Sequence, residues 1–233
     1  MKKRVLITIP QYGGILSNIA ESLEKLGYYV DWEPVISYTE SDTAENGRGY
    51  HAIIASSEPY SKTVLEELSP TLKVISRFGV GYDSVDLVAA TKLGIAVTTT
   101  PGTMSGGVAE HALAMMLALG RKLMEFDNNM KAGVWDKSQL GRELEGSTVG
   151  LIGFGSIGQR LAKYLTGFDC RLLVYDRSAS DYELKQYNAI RTDLDTIARE
   201  SDYVSLHVPL NESTRGLIDK NFLSKMKPTA FLI

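Results

Sequence analysis

The sequence predicts an α/β protein built as two parallel-sheet domains. Three observations predict it. Short apolar runs alternate with stretches of helical spacing along most of the chain. A Thr100-Pro101-Gly102 break interrupts the alternation once. A glycine-rich strand-to-helix turn then opens a second series. Alternation of this kind is what a parallel sheet requires, because each crossover between parallel strands is a helix that covers one face.

In the first series, residues 5–9 (VLITI) read as a buried strand. Ile15, Ile19, Leu23 and Leu26 then recur at helical spacing, and Gly27 stops the helix as a C′ glycine. Residues 52–55 and 74–76 read as short strands, with Leu65 and Leu68 on a helix between them. Residues 85–93 read as a helix ended by Gly94, and residues 95–99 as another strand. This first unit is domain-sized. After the break, residues 107–130 read as one helix whose first half is apolar nearly all round, which predicts burial in the protein or against a second subunit. Gly133 and a polar stretch to Glu145 follow. The strands of the second series are residues 149–152, 172–175, 203–206 and 230–233. There is no internal repeat and no low-complexity tract.

The 233 residues suffice for two modest domains, and 44% hydrophobic with 23% charged residues is the composition of a globular chain with a core. A net charge of −3 argues against nucleic acid or an anionic membrane as partner, since both require a concentrated positive field. The single cysteine, Cys170, cannot form an internal disulfide and fits a reducing compartment. Lys2, Lys3 and Arg4 precede an apolar run, but the run is short and ends at Pro10, so it reads as a strand and not as a signal peptide. The apolar segment 108–119 is interrupted by Glu110 and His111 and is too short to span a bilayer. The expectation is a cytoplasmic protein. No residue set reads as a metal site.

The chemistry centres on residues 149–161, Val-Gly-Leu-Ile-Gly-Phe-Gly-Ser-Ile-Gly-Gln-Arg-Leu. A G-x-G-x-x-G string alone is weak evidence; here an apolar strand precedes it and an apolar-periodic helix follows. Gly153 permits the tight turn, Gly155 lets backbone approach a pyrophosphate, and Gly158 lets the helix lie against the strand. The amides of Ser156 and Ile157, at the positive end of the helix, then face the phosphates. Asp176 closes the next strand, 176 − 153 = 23 residues on, close to the spacing of about 20 expected for the acid that accepts both ribose hydroxyls. A carboxylate there also repels a 2′-phosphate, which predicts NAD over NADP. Arg177 next to it is a cation that could meet such a phosphate.

These residues sit within a longer set of matches: Arg77-Phe78-Gly79-Val80-Gly81-Tyr82-Asp83, Val108-Ala109-Glu110-His111, the glycine loop, Tyr175-Asp176, His207-Val208-Pro209-Leu210 and Met226-Lys227-Pro228. In order and spacing the chain resembles the D-isomer-specific 2-hydroxyacid dehydrogenases, most of all in their phosphoglycerate dehydrogenase branch. The resemblance implies an N-terminal flavodoxin-like parallel-sheet substrate domain over residues 1–100. It implies a Rossmann NAD-binding domain over 101–233, incomplete at its C-terminus, with the active site between the two. It implies a hydride transfer between NAD and a small 2-hydroxy or 2-oxo acid, and a homodimer.

Arg77, Val80 and Gly81 then fall in the family's substrate loop. The reading is physically reasonable, since two glycines free successive amides to point at a carboxylate beside a fixed positive charge. His207, Val208 and Pro209 would line the adenosine and ribose, largely through backbone. His207 itself is not read as an acid/base, and neither is the Glu110-His111 pair. The family's catalytic Arg, Glu and His are expected beyond Ile233, so residues 1–233 alone are expected to be inactive. The competing reading is an NAD-sensing binding protein or corepressor-like member without turnover.

Overall fold

The computed structural model describes residues 2–10, 14–35 and 39–233, with all side chains among these except those of residues 14–16. The side chain of Ile15, first of the predicted apolar positions, therefore lies outside the described residues. The chain divides into two compact units, Met1–Thr103 and Met104–Ile233.

The first unit runs β1 (Arg4–Ile7), α1 (Gly14–Lys25), β2 (Tyr29–Trp32), α2 (Glu40–Gly47), β3 (Ala52–Ala55), α3 (Lys62–Leu68), β4 (Val74–Arg77), α4 (Leu87–Lys92) and β5 (Ala96–Thr98). Its five strands are all parallel, in the order β2-β1-β3-β4-β5, the flavodoxin-like winding. Alternate residues of one strand enter opposite cores. Leu6 packs with Ile53, Leu65, Leu68 and Ile75 on one face. Ile7 packs with Ile19, Val30 and Trp32 on the other.

Gly27 ends α1 as expected. Its N–H donates to the Glu24 carbonyl at 2.9 Å and the Tyr28 N–H to the Leu23 carbonyl at 3.1 Å, the paired bonds of a glycine helix stop. The strand predicted over 5–9 is Arg4–Ile7, and Thr8 and Ile9 beyond it stay buried, with the Thr8 N–H still bonded to the Ile54 carbonyl at 3.0 Å. The helix predicted from residue 85 starts two residues later. Asp86 caps it, accepting the Ala89 N–H at 2.9 Å, and Val85 instead bridges Tyr60.

The second unit runs α5 (Ser105–Gly120), α6 (Leu123–Lys131), β6 (Thr148–Ile152), α7 (Ser156–Leu165), β7 (Arg171–Tyr175), α8 (Asp181–Lys185), β8 (Ile190–Arg191), α9 (Leu194–Glu200), β9 (Tyr203–Leu206), α10 (Lys220–Lys225) and β10 (Phe231–Leu232). Again every pair is parallel, and the order is β10-β9-β6-β7-β8. Counted within the unit this is 3-2-1-4-5, the Rossmann winding. One face buries Met116, Leu151, Leu161, Val174 and Tyr203. The other buries Ile152, Leu173, Ile197, Val204 and Phe222. The winding reverses between β6 and β9, which opens a crevice at their C-terminal ends.

The single helix predicted over 107–130 is two helices. Lys122 takes a left-handed backbone (φ 52°) between them. At the break the Gly120 carbonyl accepts the Arg142 N–H at 2.6 Å, a partner from outside the helix. Gly120 also leaves room for the Tyr203 hydroxyl, which a Cβ there would overlap. In the apolar first half, Ala109, Ala112 and Met116 are buried, while Val108 and Leu119 are exposed. The α6 helix, from the second half, has no buried residue.

Candidate dinucleotide and substrate sites

The glycine loop leaves β6 at the crevice, and its three glycines meet three different surroundings. Gly153 has φ +99°, and a Cβ there would stand 2.7 Å from the His207 carbonyl carbon, so both conformation and space require glycine. A Cβ on Gly158 would overlap the carbonyl oxygen of Gly153, which is the close helix–strand approach. A Cβ on Gly155 would meet nothing within 4 Å. Gly155 and Ser156 are exposed while Phe154 and Gly158 are buried. Gly155 is also the N-cap of α7, and no side chain caps that end. The amides at the start of α7 thus face open space at the positive end of a ten-residue helix. A pyrophosphate fits this set: exposed amides over a loop whose only unobstructed glycine is at its mouth.

Asp176 lies just past β7 and is half-buried. Its Oδ2 accepts the Phe154 N–H at 2.7 Å, and its Oδ1 accepts the Ser178 and Ala179 N–H groups, both at 2.7 Å. Burial pushes its carboxyl upward, but these backbone bonds overcome that and hold it below the usual carboxylate range. The group is therefore an anion at neutral pH, and it anchors the loop. Asp176 follows β7, as its place in the sequence predicts, and it also anchors the loop, which the sequence does not show. Its Oδ2 carries one bond, which leaves lone-pair capacity for a ribose hydroxyl.

A second group was also missed. Gln159 Nε2 donates to the Phe154 carbonyl at 3.0 Å and to Glu183 Oε1 at 3.0 Å. Glu183 forms a capping box with Ser180 at the start of α8. The Ser180–Glu183 spacing is a legible helix-start signal, but its nearness to the loop comes only from the fold.

The His207-Val208-Pro209 segment leaves β9 on the far side of the crevice. Gly153, Asp176, Glu183, His207, Val208 and Pro209 line one depression there. Asp176, Arg177, Val208, Pro209, Ser213 and Thr214 line an adjoining one. The His207 N–H donates to the Ile152 carbonyl at 2.7 Å, and its Nε2 lies 2.9 Å from Ser205 Oγ. Burial pushes the imidazole down to about 4, so it is neutral at physiological pH, consistent with a lining residue. Arg177 donates from Nη2 to Ser213 Oγ at 3.1 Å.

In the first unit, Arg77 ends β4. Its Nη2 donates to Ser57 Oγ at 3.1 Å, and its Nη1 donates to the Phe78 carbonyl. Among the described residues it makes no ion pair. Gly79 has φ +150° and its N–H donates to the Arg77 carbonyl at 3.0 Å. This corrects the expected run of free amides, because the first of them is used within the turn. Val80 and Gly81 are exposed beyond it. The loop is tied down by the Phe78 N–H to Ala55 and by Thr100, whose N–H donates to the Gly79 carbonyl at 3.0 Å. Arg77, Val80 and Gly81 therefore share one short, anchored loop with a cation at its base.

Comparison with known proteins agrees with this geometry. Residues 113–233 match the model of the D-isomer specific 2-hydroxyacid dehydrogenase NAD binding domain. The chain is 36% identical to a glyoxylate reductase of Thermococcus litoralis over all of its own length and 72% of that protein's. It is 37% identical to a D-3-phosphoglycerate dehydrogenase of Archaeoglobus fulgidus over 79% of its own length and 35% of the relative's. The NAD+-bound 3-phosphoglycerate dehydrogenase of Entamoeba histolytica superposes with a TM-score of 0.83 at 26% identity, over all of this chain and 71% of that one.

Proposed function

The chain belongs to the D-isomer-specific 2-hydroxyacid dehydrogenase family, and from that premise we propose a division of labour. Residues 101–233 hold NAD, and residues 1–100 hold a small 2-oxo or 2-hydroxy acid. The observation that carries the cofactor half is the contrast among Gly153, Gly155 and Gly158: two are filled by the protein's own backbone, and one is open at a helix N-terminus.

When bound, the nicotinamide supplies a hydride for C2 of a 2-oxo acid, or takes one up in the reverse direction. The chain's own residues bind and orient. Amides of Gly155, Ser156 and Ile157 receive the pyrophosphate. Asp176, held ionised by backbone N–H groups, accepts ribose hydroxyls and repels a 2′-phosphate. The backbone of His207, Val208 and Pro209 lines the adenosine side. In the substrate loop, Arg77 provides the positive charge and Val80 and Gly81 the amides for the substrate carboxylate. The names of the relatives support a substrate of the glyoxylate, hydroxypyruvate or 3-phosphoglycerate type.

A homodimer forms part of the same reading. Met124 and Trp135, on and just after α6, are 69% and 72% exposed, and such apolar side chains support this reading. The test of the function is to follow NADH absorbance with the protein and glyoxylate, hydroxypyruvate, pyruvate or 3-phosphohydroxypyruvate. Turnover with at least one is expected. NADH binding without turnover on any of them would favour a cofactor sensor instead.

A further inference from the structure

The peptide group of Phe154 is held from both sides, and the two holds lie on different peptide planes. Its N–H is bonded to Asp176 Oδ2 at 2.7 Å. Its carbonyl is bonded to Gln159 Nε2 at 3.0 Å. That carbonyl shares a planar trans peptide with the N–H of Gly155, and in such a unit the C=O and N–H point in opposite directions. Fixing one therefore fixes the other. Gly155 has no side chain to resist rotation of this peptide, and nothing packs over it within 4 Å of a notional Cβ. The Phe154 ring is buried edge-on to Tyr187, with centroids 5.9 Å apart, but a ring contact does not set the next peptide plane.

Gln159 is itself anchored. The same Nε2 donates to Glu183 Oε1 at 3.0 Å. Glu183 Oε2 accepts the Ser180 N–H at 2.7 Å and the Ser180 hydroxyl at 2.8 Å. The chain of bonds thus runs from the capped start of α8, through one side chain on α7, to the open amide at the mouth of the loop.

We infer that Gln159, anchored by Glu183, is a positioning residue for the pyrophosphate of a bound dinucleotide: by holding the Phe154 carbonyl it sets the direction of the Gly155 N–H. The inference rests on the NAD reading above. It assigns Gln159 no contact with the ligand.

The test compares binding of NAD, ADP-ribose and adenosine by calorimetry or NMR titration to wild type, Gln159→Ala, Gln159→Glu, Glu183→Ala and Glu183→Gln. Gln159→Glu keeps the size of the side chain but cannot donate to the Phe154 carbonyl, so it serves if the alanine variant folds poorly. Both Gln159 variants are expected to weaken NAD and ADP-ribose about ten-fold, the factor one well-placed hydrogen bond contributes. Adenosine, which has no pyrophosphate, should bind as in wild type. Glu183→Gln retains an acceptor and should bind nearly as wild type, while Glu183→Ala should follow Gln159→Ala in part. Unchanged NAD and ADP-ribose affinity in the Gln159 variants overturns the inference, and so does an equal loss for adenosine. ¹⁵N relaxation of the Gly155 amide gives a reading independent of ligand, with added motion expected in Gln159→Ala. Should wild type bind neither NAD nor ADP-ribose, the cofactor reading fails, and an unchanged Gly155 amide in Gln159→Ala then overturns the positioning role separately.

Discussion

The guanidinium of Arg177 is bonded to Ser213 Oγ at 3.1 Å, and Ser213 Oγ in turn donates to Asn211 Oδ1 at 2.7 Å. The cation beside Asp176 is thus turned toward the 211–214 segment, while the Asp176 carboxylate stays with the glycine loop. This arrangement favours the ribose hydroxyls of NAD over a 2′-phosphate. NAD should bind one to two decades more tightly than NADP, the worth of charge-assisted hydrogen bonds of about 1.5–3 kcal/mol. Asp176→Asn should narrow that ratio. Titration of both cofactors checks it, and equal affinity in wild type would mean that Arg177 dominates.

Arg77 is expected to act on the acid and not on the nucleotide. Arg77→Ala should raise KM for the 2-oxo acid about ten-fold or more, as loss of a charged hydrogen bond does. The Kd for NAD should stay within two-fold. Steady-state kinetics beside a binding titration separate the two. An unchanged KM removes Arg77 from the site.

Asp202 gives a pH-dependence. Its Oδ2 accepts the Thr148 N–H at 2.9 Å and its Oδ1 accepts from Lys227 Nζ at 3.0 Å. Burial pushes its carboxyl up, but the Thr148 and Lys227 bonds and the nearby Arg142 charge hold it below the ordinary value. A carboxyl depressed in the folded state contributes stability that is fully present above its unfolded value, about 3.9, and that is lost as pH falls through the folded value. Asp202→Asn should therefore cost roughly 1 kcal/mol at pH 7, the scale of one hydrogen bond. The cost should shrink toward pH 3. Urea melts of both proteins across that range test the sign; a gap that widens in acid would contradict it.

Of the three histidines, His207 lines the crevice of the second unit. His207 is held neutral, near pKa 4, by burial. His51 Nδ1 accepts the backbone N–H of Arg4 at 3.2 Å. His111 lies exposed on α5. His207→Gln should therefore leave turnover of the oxo acids within about ten-fold of wild type, short of the 10²–10⁴-fold that loss of a general base costs. Steady-state rates of the two proteins check it, and a loss of 10²-fold or more would make His207 the base.

Much of the winding was legible because strand and helix periods differ and glycines punctuate them. Four of the five strands of the second sheet were readable from apolar runs such as Leu172-Leu173-Val174, and the two-residue β8 was not. What escaped was set by tertiary context. β2 has no fully buried residue and mixes Tyr, Val, Asp and Trp, so it carries no clean period. α2 (ESDTAENG) is polar and is held by its Thr39 cap and a buried Gly47, which composition does not announce. The break after Gly120 goes with a bond from the Arg142 N–H, twenty-two residues on, which helical spacing does not announce. The glycine loop and Asp176 were visible at fixed spacing. The hold of Gln159 on Phe154 was not, because it needs α8 folded beside α7.

The central claim is that the open glycine at the start of α7 receives a dinucleotide, and Gly155→Ala tests it most directly. Gly155 has φ −72° and ψ −162°, a conformation alanine adopts, and its Cβ would touch nothing within 4 Å. The variant should melt within a degree or two of wild type, as surface changes of no more than about 0.5 kcal/mol do. Yet the added methyl stands where backbone must approach the pyrophosphate, so NAD affinity should fall at least ten-fold. A Gly155→Ala protein that melts normally and binds NAD as tightly as wild type would contradict the account.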